Sequence, residues 1–180
     1  MSTARDKAIL NSILNPFLPV DFEREEESVV RNDDPGDLTE EVLKAKQLEK
    51  EAISMADKGR VKDAVATFGN AIHLAPHLPS LYNNRAQAHR LLGDTHSALD
   101  DLNMAITLSK GEGRSACQAF CQRGLIRRKN GEEEKAQDDF KMAARLGSPF
   151  AKMVLVQSNP YAALCNDMLS QVLQKLAKGE

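Results

Sequence analysis

Three thiols and four imidazoles carry the most reactive chemistry in this chain. Cys117 and Cys121 stand four positions apart, a spacing that turns both onto one helix face. Structural zinc needs four ligands, drawn from Cys and His at tight spacings. His73, His77, His89 and His96 lie in other segments without such spacing, so the thiols read as small, partly buried packing groups. Gly111-Glu112-Gly113-Arg114-Ser115-Ala116 imitates the start of a dinucleotide-binding loop, but that motif requires a preceding strand and a β-α-β unit. Here the stretch follows a helical segment and reads as a connecting loop. Glu132, Glu133 and Glu134 open a helix, where they favour its N-terminal dipole, and no base is paired with them. No phosphate-binding loop, nucleophile elbow or metalloprotease helix occurs. These residues point away from an enzyme and imply no cofactor and no metal. Recognition chemistry is left. Between Arg114 and Lys129 stand five basic residues (Arg114, Arg123, Arg127, Arg128, Lys129) and no acid. Side-chain amides elsewhere could pair with peptide N–H and C=O, and Arg can hold carboxylates bidentately. The alternative is a solvated basic helix face.

The elements that would position these groups are helices. The 180 residues are rich in Ala, Leu, Lys, Glu, Gln and Arg, with no Trp, two Tyr and six Phe. Aromatics at 4% are thin for a β-sandwich or barrel. A net charge of −2 argues against nucleic acid as a ligand, and no aromatics interleave with the basic stretch for base stacking. Three Cys make no disulfide framework and suggest a reducing, cytoplasmic compartment. No apolar run is long enough to suggest a membrane span.

A pattern recurs from Leu48 onward. Gly59, Gly93 and Gly131 are each followed five residues later by Ala64, Ala98 and Ala136. Nine residues later come Phe68, Leu102 and Phe140, and twelve later Ala71, Ala105 and Ala143. Eleven before each Gly stand Leu48, Tyr82 and Phe120; seven before stand Ala52, Ala86 and Gly124. The copies are offset by 34 and 38 residues, and the second gap holds four extra residues near Lys110–Arg114. A unit of this length with a central Gly is a helix, a tight turn and a second helix. Gly adopts the left-handed conformation that ends the first helix without steric cost. The small residues let helices approach, and Phe68, Leu102 and Phe140 plug the space between units. One pair cannot cover its own apolar face, so several must stack.

These offsets resemble the tetratricopeptide repeat family over residues 45–150. The resemblance implies an all-α, short right-handed solenoid with units at 45–78, 79–112 and 117–150. Glu51 and Arg123 depart from it, standing where the family often has Leu, and Lys110 stands where a closing Pro is usual. Asn159-Pro160, followed by Leu164, Met168, Val172, Leu173 and Leu176, reads as a capping helix, preceded by a short helix over 150–157. Tyr82-Asn83-Asn84-Arg85-Ala86-Gln87-Ala88, Leu146-Gly147-Ser148-Pro149-Phe150 and Asn159-Pro160-Tyr161-Ala162-Ala163-Leu164-Cys165-Asn166 resemble a small three-repeat group of that family. This group is described as binding the seventy-kilodalton heat-shock chaperone. The resemblance implies a monomeric cytoplasmic adaptor of co-chaperone type, or else a scaffold docking a client enzyme or a ciliary or trafficking component. It places Asn83, Asn84, Gln87 and Arg90, then Gln118, Cys121, Gln122, Leu125 and Arg128, on a concave peptide-binding face.

Chaperone-binding members clamp a C-terminal carboxylate with five residues. Carried over, the clamp positions hold Glu49 and Ile53 where Lys and Asn are usual, Asn84 matching Asn, and Gln118 and Gln122 where Lys and Arg are usual. One match in five argues against a full clamp, and Glu49 would repel a carboxylate.

Ahead of the repeats, residues 1–14 read as an amphipathic helix carrying Ile9, Leu10, Ile13 and Leu14 on one stripe, not as a targeting signal. Residues 15–41 read as a mobile acidic segment. From Asp21 to Glu41 ten acids oppose only Arg24 and Arg31, a net −8 that leaves +6 on the rest of the chain. That segment could lie over the basic third unit as an internal competitor for an acidic partner.

Overall fold

The computed structural model describes residues 39–158, together with Tyr161, Cys165, Met168, Leu169 and Val172. The helix expected over 1–14 and the acidic segment up to residue 38 lie outside the described residues, as does most of the helix expected from Asn159. Among the described residues, those from Thr39 to Leu155 belong to one compact unit and those from Val156 onward to a second.

Seven helices follow one another among the described residues: α1 Glu40–Asp57, α2 Val61–Leu74, α3 Pro79–Leu91, α4 Thr95–Leu108, α5 Gly113–Lys129, α6 Glu133–Arg145 and α7 Pro149–Gln157. Their boundaries follow from local chemistry. Thr39 caps α1, its Oγ1 accepting the Val42 N–H at 3.3 Å, and Glu40 and Glu41 occupy the positive first turn. The last two residues of the acidic run are therefore helical. Pro79 starts α3 at a position where its missing N–H costs nothing. Asp94 caps α4 by accepting the Ser97 N–H at 3.0 Å. Those contacts with Ser97 hold the Asp94 carboxyl below its ordinary range. Gly59, Gly93 and Gly131 have φ of 81°, 81° and 82°, the left-handed turn that their recurrence predicts.

α1 packs on α2, α3 on α4, and α5 on α6; α2 also meets α3, and α4 meets α5. In addition α1 touches α3 and α3 touches α5, so the first helices of successive pairs form a continuous row. The recurring positions make the core. Ala64, Ala98, Ala136, Ala71, Ala105 and Ala143 are fully buried, with Phe68, Leu102 and Phe140 among them. Burial of each large side chain contributes about 1.5–3 kcal/mol. Phe68 clusters with Ala52 and Ala64 of its own pair and with Ala88 of the next. Leu102 clusters likewise with Ala119 and Ile126 of α5. Phe140 clusters with Ala151 and Val154 of α7 and meets Phe150 edge-on at 6.2 Å. A methyl group at Gly124 would stand 2.9 Å from the Phe140 ring, which explains the smallest residue there.

The departures from the repeat pattern have separate explanations. Glu51 is exposed and accepts a hydrogen bond from Gln47 at 3.3 Å. Arg123 turns toward α6, where Asp139 accepts from its Nε and Nη2, the shortest contact being 2.7 Å. Arg127 adds a contact of 2.9 Å to the same carboxylate. Arg85 and Asp101 form the equivalent pair one unit earlier, at 2.6 and 2.8 Å. That hydrogen bonding raises the Arg85 pKa against the opposing effect of burial. Both guanidiniums also lie over rings, Arg85 on Tyr82 at 5.8 Å and Arg123 on Phe120 at 5.4 Å.

Candidate functional site

Helices α3 and α5 and the corner between α6 and α7 line an open groove of about 760 Å³. Asn84 and Gln87 line it from α3. Arg114, Cys117, Gln118, Cys121 and Gln122 line it from α5, and Leu146, Gly147, Ser148, Pro149 and Phe150 from the corner. Four amides give a polar floor and Leu146, Pro149 and Phe150 an apolar wall. Arg114 is the one charged residue in the lining.

Ser148 fixes the corner. Its Oγ accepts the Ala151 N–H at 3.1 Å, capping α7, and lies 3.2 Å from the Cys121 Sγ on α5. Cys117 sits one turn earlier, its Sγ 3.7 Å from the Ala143 carbonyl oxygen. Burial pushes both thiols above their ordinary pKa, for Cys117 with help from its neighbour Cys121. Protonated thiols in such a setting are weak nucleophiles and offer smooth, polarisable contact surface. No group of three or more possible metal ligands occurs among the described residues.

The expected concave residues divide. Asn84, Gln87, Gln118, Cys121 and Gln122 come together in the groove. Asn83 does not: it is 1% exposed, and its Nδ2 donates to the Ser115 carbonyl at 2.8 Å, tying α3 to α5. Arg90 lies outside the lining and donates to the Gln87 Oε1 at 3.2 Å. Arg128 lies over the Phe140 ring at 5.3 Å and 3.7 Å from Glu133, also outside the lining. Leu125 is likewise outside it. The basic stretch shrinks for the same reason. Arg123 and Arg127 spend their charge on Asp139, which a window from Arg114 to Lys129 does not contain.

The second correction concerns Arg114. The four extra residues between the second and third units extend α5 by a turn, starting at Gly113, instead of lengthening a loop. Lys110, Gly111 and Gly113 take positive φ to make the sharp entry. Arg114 is thereby carried into the groove. The alignment offset of 38 against 34 is the sequence signal that marks this extra turn. Leu146–Phe150, at the end of the third unit, was not among the expected groove residues because it carries no charge or amide to mark it.

At the α1 end the groove is chemically closed. Glu49 is 7% exposed, and its Oε1 accepts the Asn84 Nδ2 at 2.8 Å. Its Oε2 accepts the Lys46 Nζ at 2.9 Å, and Lys46 also reaches the Ser80 Oγ at 3.0 Å. Asn84, the one residue matching the carboxylate clamp, thus already holds a carboxylate from its own chain.

No protein-family model matches the chain. Curated proteins do. "Tetratricopeptide repeat protein 36" of Danio rerio is 48% identical over 184 residues, covering 100% of this chain and 97% of that one. The protein of that name from Homo sapiens is 45% identical, covering 99% and 97%, and that from Caenorhabditis elegans 45%, covering 100% and 99%. Among solved structures, the second repeat domain of human RPAP3 in complex with the HSP70 peptide SGPTIEEVD has a TM-score of 0.57 at 23% identity. It covers 65% of this chain and 96% of its own. The second such domain of Spaghetti (RPAP3), bound to the HSP90 peptide SRMEEVD, has a TM-score of 0.52 at 24% identity, covering 57% and 91%. At these identities the structures speak for the fold, an all-α repeat solenoid. The sequence relatives, similar along nearly their whole length, carry the family: the chain belongs to the tetratricopeptide repeat protein 36 family.

Proposed function

We propose that this protein is a non-enzymatic adaptor of co-chaperone type. It docks a segment of a cytoplasmic heat-shock chaperone of the seventy-kilodalton class in the groove between α3, α5 and the α6–α7 corner. A terminal-carboxylate clamp plays no part in the contact. The observation that carries this reading is the Glu49 carboxylate on Asn84, beside a groove floored by Gln87, Gln118 and Gln122. A ligand carboxylate arriving at Asn84 would meet a fixed negative charge and would have to displace a hydrogen bond already made. Amides with free valences suit peptide backbone instead. The peptide complexes of the RPAP3 domains support the chaperone class of partner by fold likeness.

The test is calorimetric titration of this protein with the full-length chaperone and with the chaperone shortened by its acidic C-terminal tail. Equal micromolar affinity for both is the expected result. Binding lost with the tail would restore the clamp. Binding of neither form would remove the chaperone and leave only the adaptor reading, its partner to be sought elsewhere.

A further inference from the structure

Two groups in the groove are unmatched, and together they specify a ligand. Arg114 stands on the first turn of α5 and, among the described residues, has no ion-pair partner. Arg85, Arg123 and Arg127, by contrast, all hold carboxylates of their own chain. The second group is the Gln122 Oε1, which is buried and accepts no hydrogen bond. A covered oxygen without a donor costs free energy that a bound N–H would recover. Gln122 is itself part of the groove lining, and the terminal torsion of its side chain is soft.

We propose that the groove takes an internal, extended stretch of a partner chain that places an acidic side chain on Arg114 and, about three residues away, a bulky apolar side chain on Phe150. The proposal rests on the groove being the partner surface, as argued above. The spacing follows from helix geometry. Seven residues separate Arg114 from Cys121 along α5, roughly 10 Å, which about three extended residues span. Ser148 sets the wall of Leu146 and Phe150 at the level of Cys121. Between the two anchors the segment donates a backbone N–H to Gln122. The closed Lys46–Glu49–Asn84 network removes any need for a chain end. Charge complementarity selects the acid, since Arg114 is the single charge in an otherwise neutral lining.

The test is selection from a library of random nonapeptides displayed between two folded domains, so that no terminus is free, followed by titration of the winners as acetylated, amidated peptides. Selected segments are expected to pair Asp or Glu with Leu, Ile, Met or Phe about three positions away. Arg114→Ala should weaken them about tenfold, and more salt should weaken wild type but not this variant. Gln122→Met should weaken binding severalfold while raising the unfolding temperature of the free protein, a combination that a purely structural role does not produce. Absence of any selected segment, winners without an acid, or unchanged affinity for Arg114→Ala would each overturn the proposal. The Gln87→Ala, Gln118→Ala double variant separates the levels. Affinity lost there but kept in Arg114→Ala leaves the groove reading standing and removes this one. Affinity kept in both removes the groove itself.

Discussion

Replacing Asp139 by Asn keeps the shape of the side chain and removes its charge. In the native protein this carboxylate is 3% exposed and is held by two guanidiniums, those of Arg123 and Arg127, themselves 15% and 23% exposed. Arg123 also donates to the Asn103 Oδ1 at 2.7 Å, so one acid organises three helices, α4, α5 and α6. A unit charge pair about 4 Å apart near a protein surface interacts by about 4 kcal/mol. Removing one partner of a buried pair costs about 3–5 kcal/mol because the other charge is left uncompensated. With a neutral amide in place of the carboxylate, two neighbouring cations would face each other with no anion between them. The expected loss in Asp139→Asn is therefore about 3 kcal/mol or more, read from urea unfolding at unchanged m-value. In an Arg123→Met background one cation is gone, and the same substitution should cost at least about 1 kcal/mol less, a coupling expected of residues in one network. Asp101→Asn, with the single guanidinium partner Arg85, should cost less than Asp139→Asn. A loss below about 1 kcal/mol for Asp139→Asn, or additivity of the two substitutions, would refute the ion-pair account of the Arg123 departure.

Three further outcomes follow from the same structure. Phe140→Ala should cost about 3–5 kcal/mol, since the fully buried ring sits under Gly124 and against Phe150; a loss under about 1 kcal/mol would contradict its place in the core. On brief treatment with iodoacetamide at neutral pH, mass spectrometry should find Cys165 modified ahead of Cys117 and Cys121, because Cys165 is exposed and burial raises the pKa of the other two. Asp94 has a folded pKa below its unfolded value, so its capping contribution is present above about pH 4 and is lost as pH falls through the folded pKa. Acid unfolding curves of Asp94→Ala should accordingly show a smaller drop in stability over that range than wild type.

The core was legible in the sequence because its positions recur. Gly, Ala and bulky residues at fixed offsets specify helix pairs, and Gly59, Gly93 and Gly131 take the conformation their recurrence implies. The groove was legible only in part, because a helix face is shared between packing and solvent. Asn83 and Asn84 are neighbours in sequence, yet one closes the α3–α5 contact and the other faces Glu49, 35 positions away. The ion pairs did leave a trace: Arg85–Asp101 and Arg123–Asp139 share a separation of 16 residues in successive units. A charge count within one helix could not see it, since each partner lies on the following helix. Arg114 reached the groove through an insertion that keeps helical register, which a loop reading of two glycines conceals.

The central claim is that Glu49 stands where a ligand's terminal carboxylate would otherwise be held. The most direct test is to measure the affinity of this protein for SGPTIEEVD as free acid and as C-terminal amide, by calorimetry at physiological salt. The account predicts no dependence on the free terminus: either neither form binds measurably, or amidation changes the affinity by less than about twofold. A loss of about tenfold or more on amidation, abolished by Asn84→Ala, would contradict the claim.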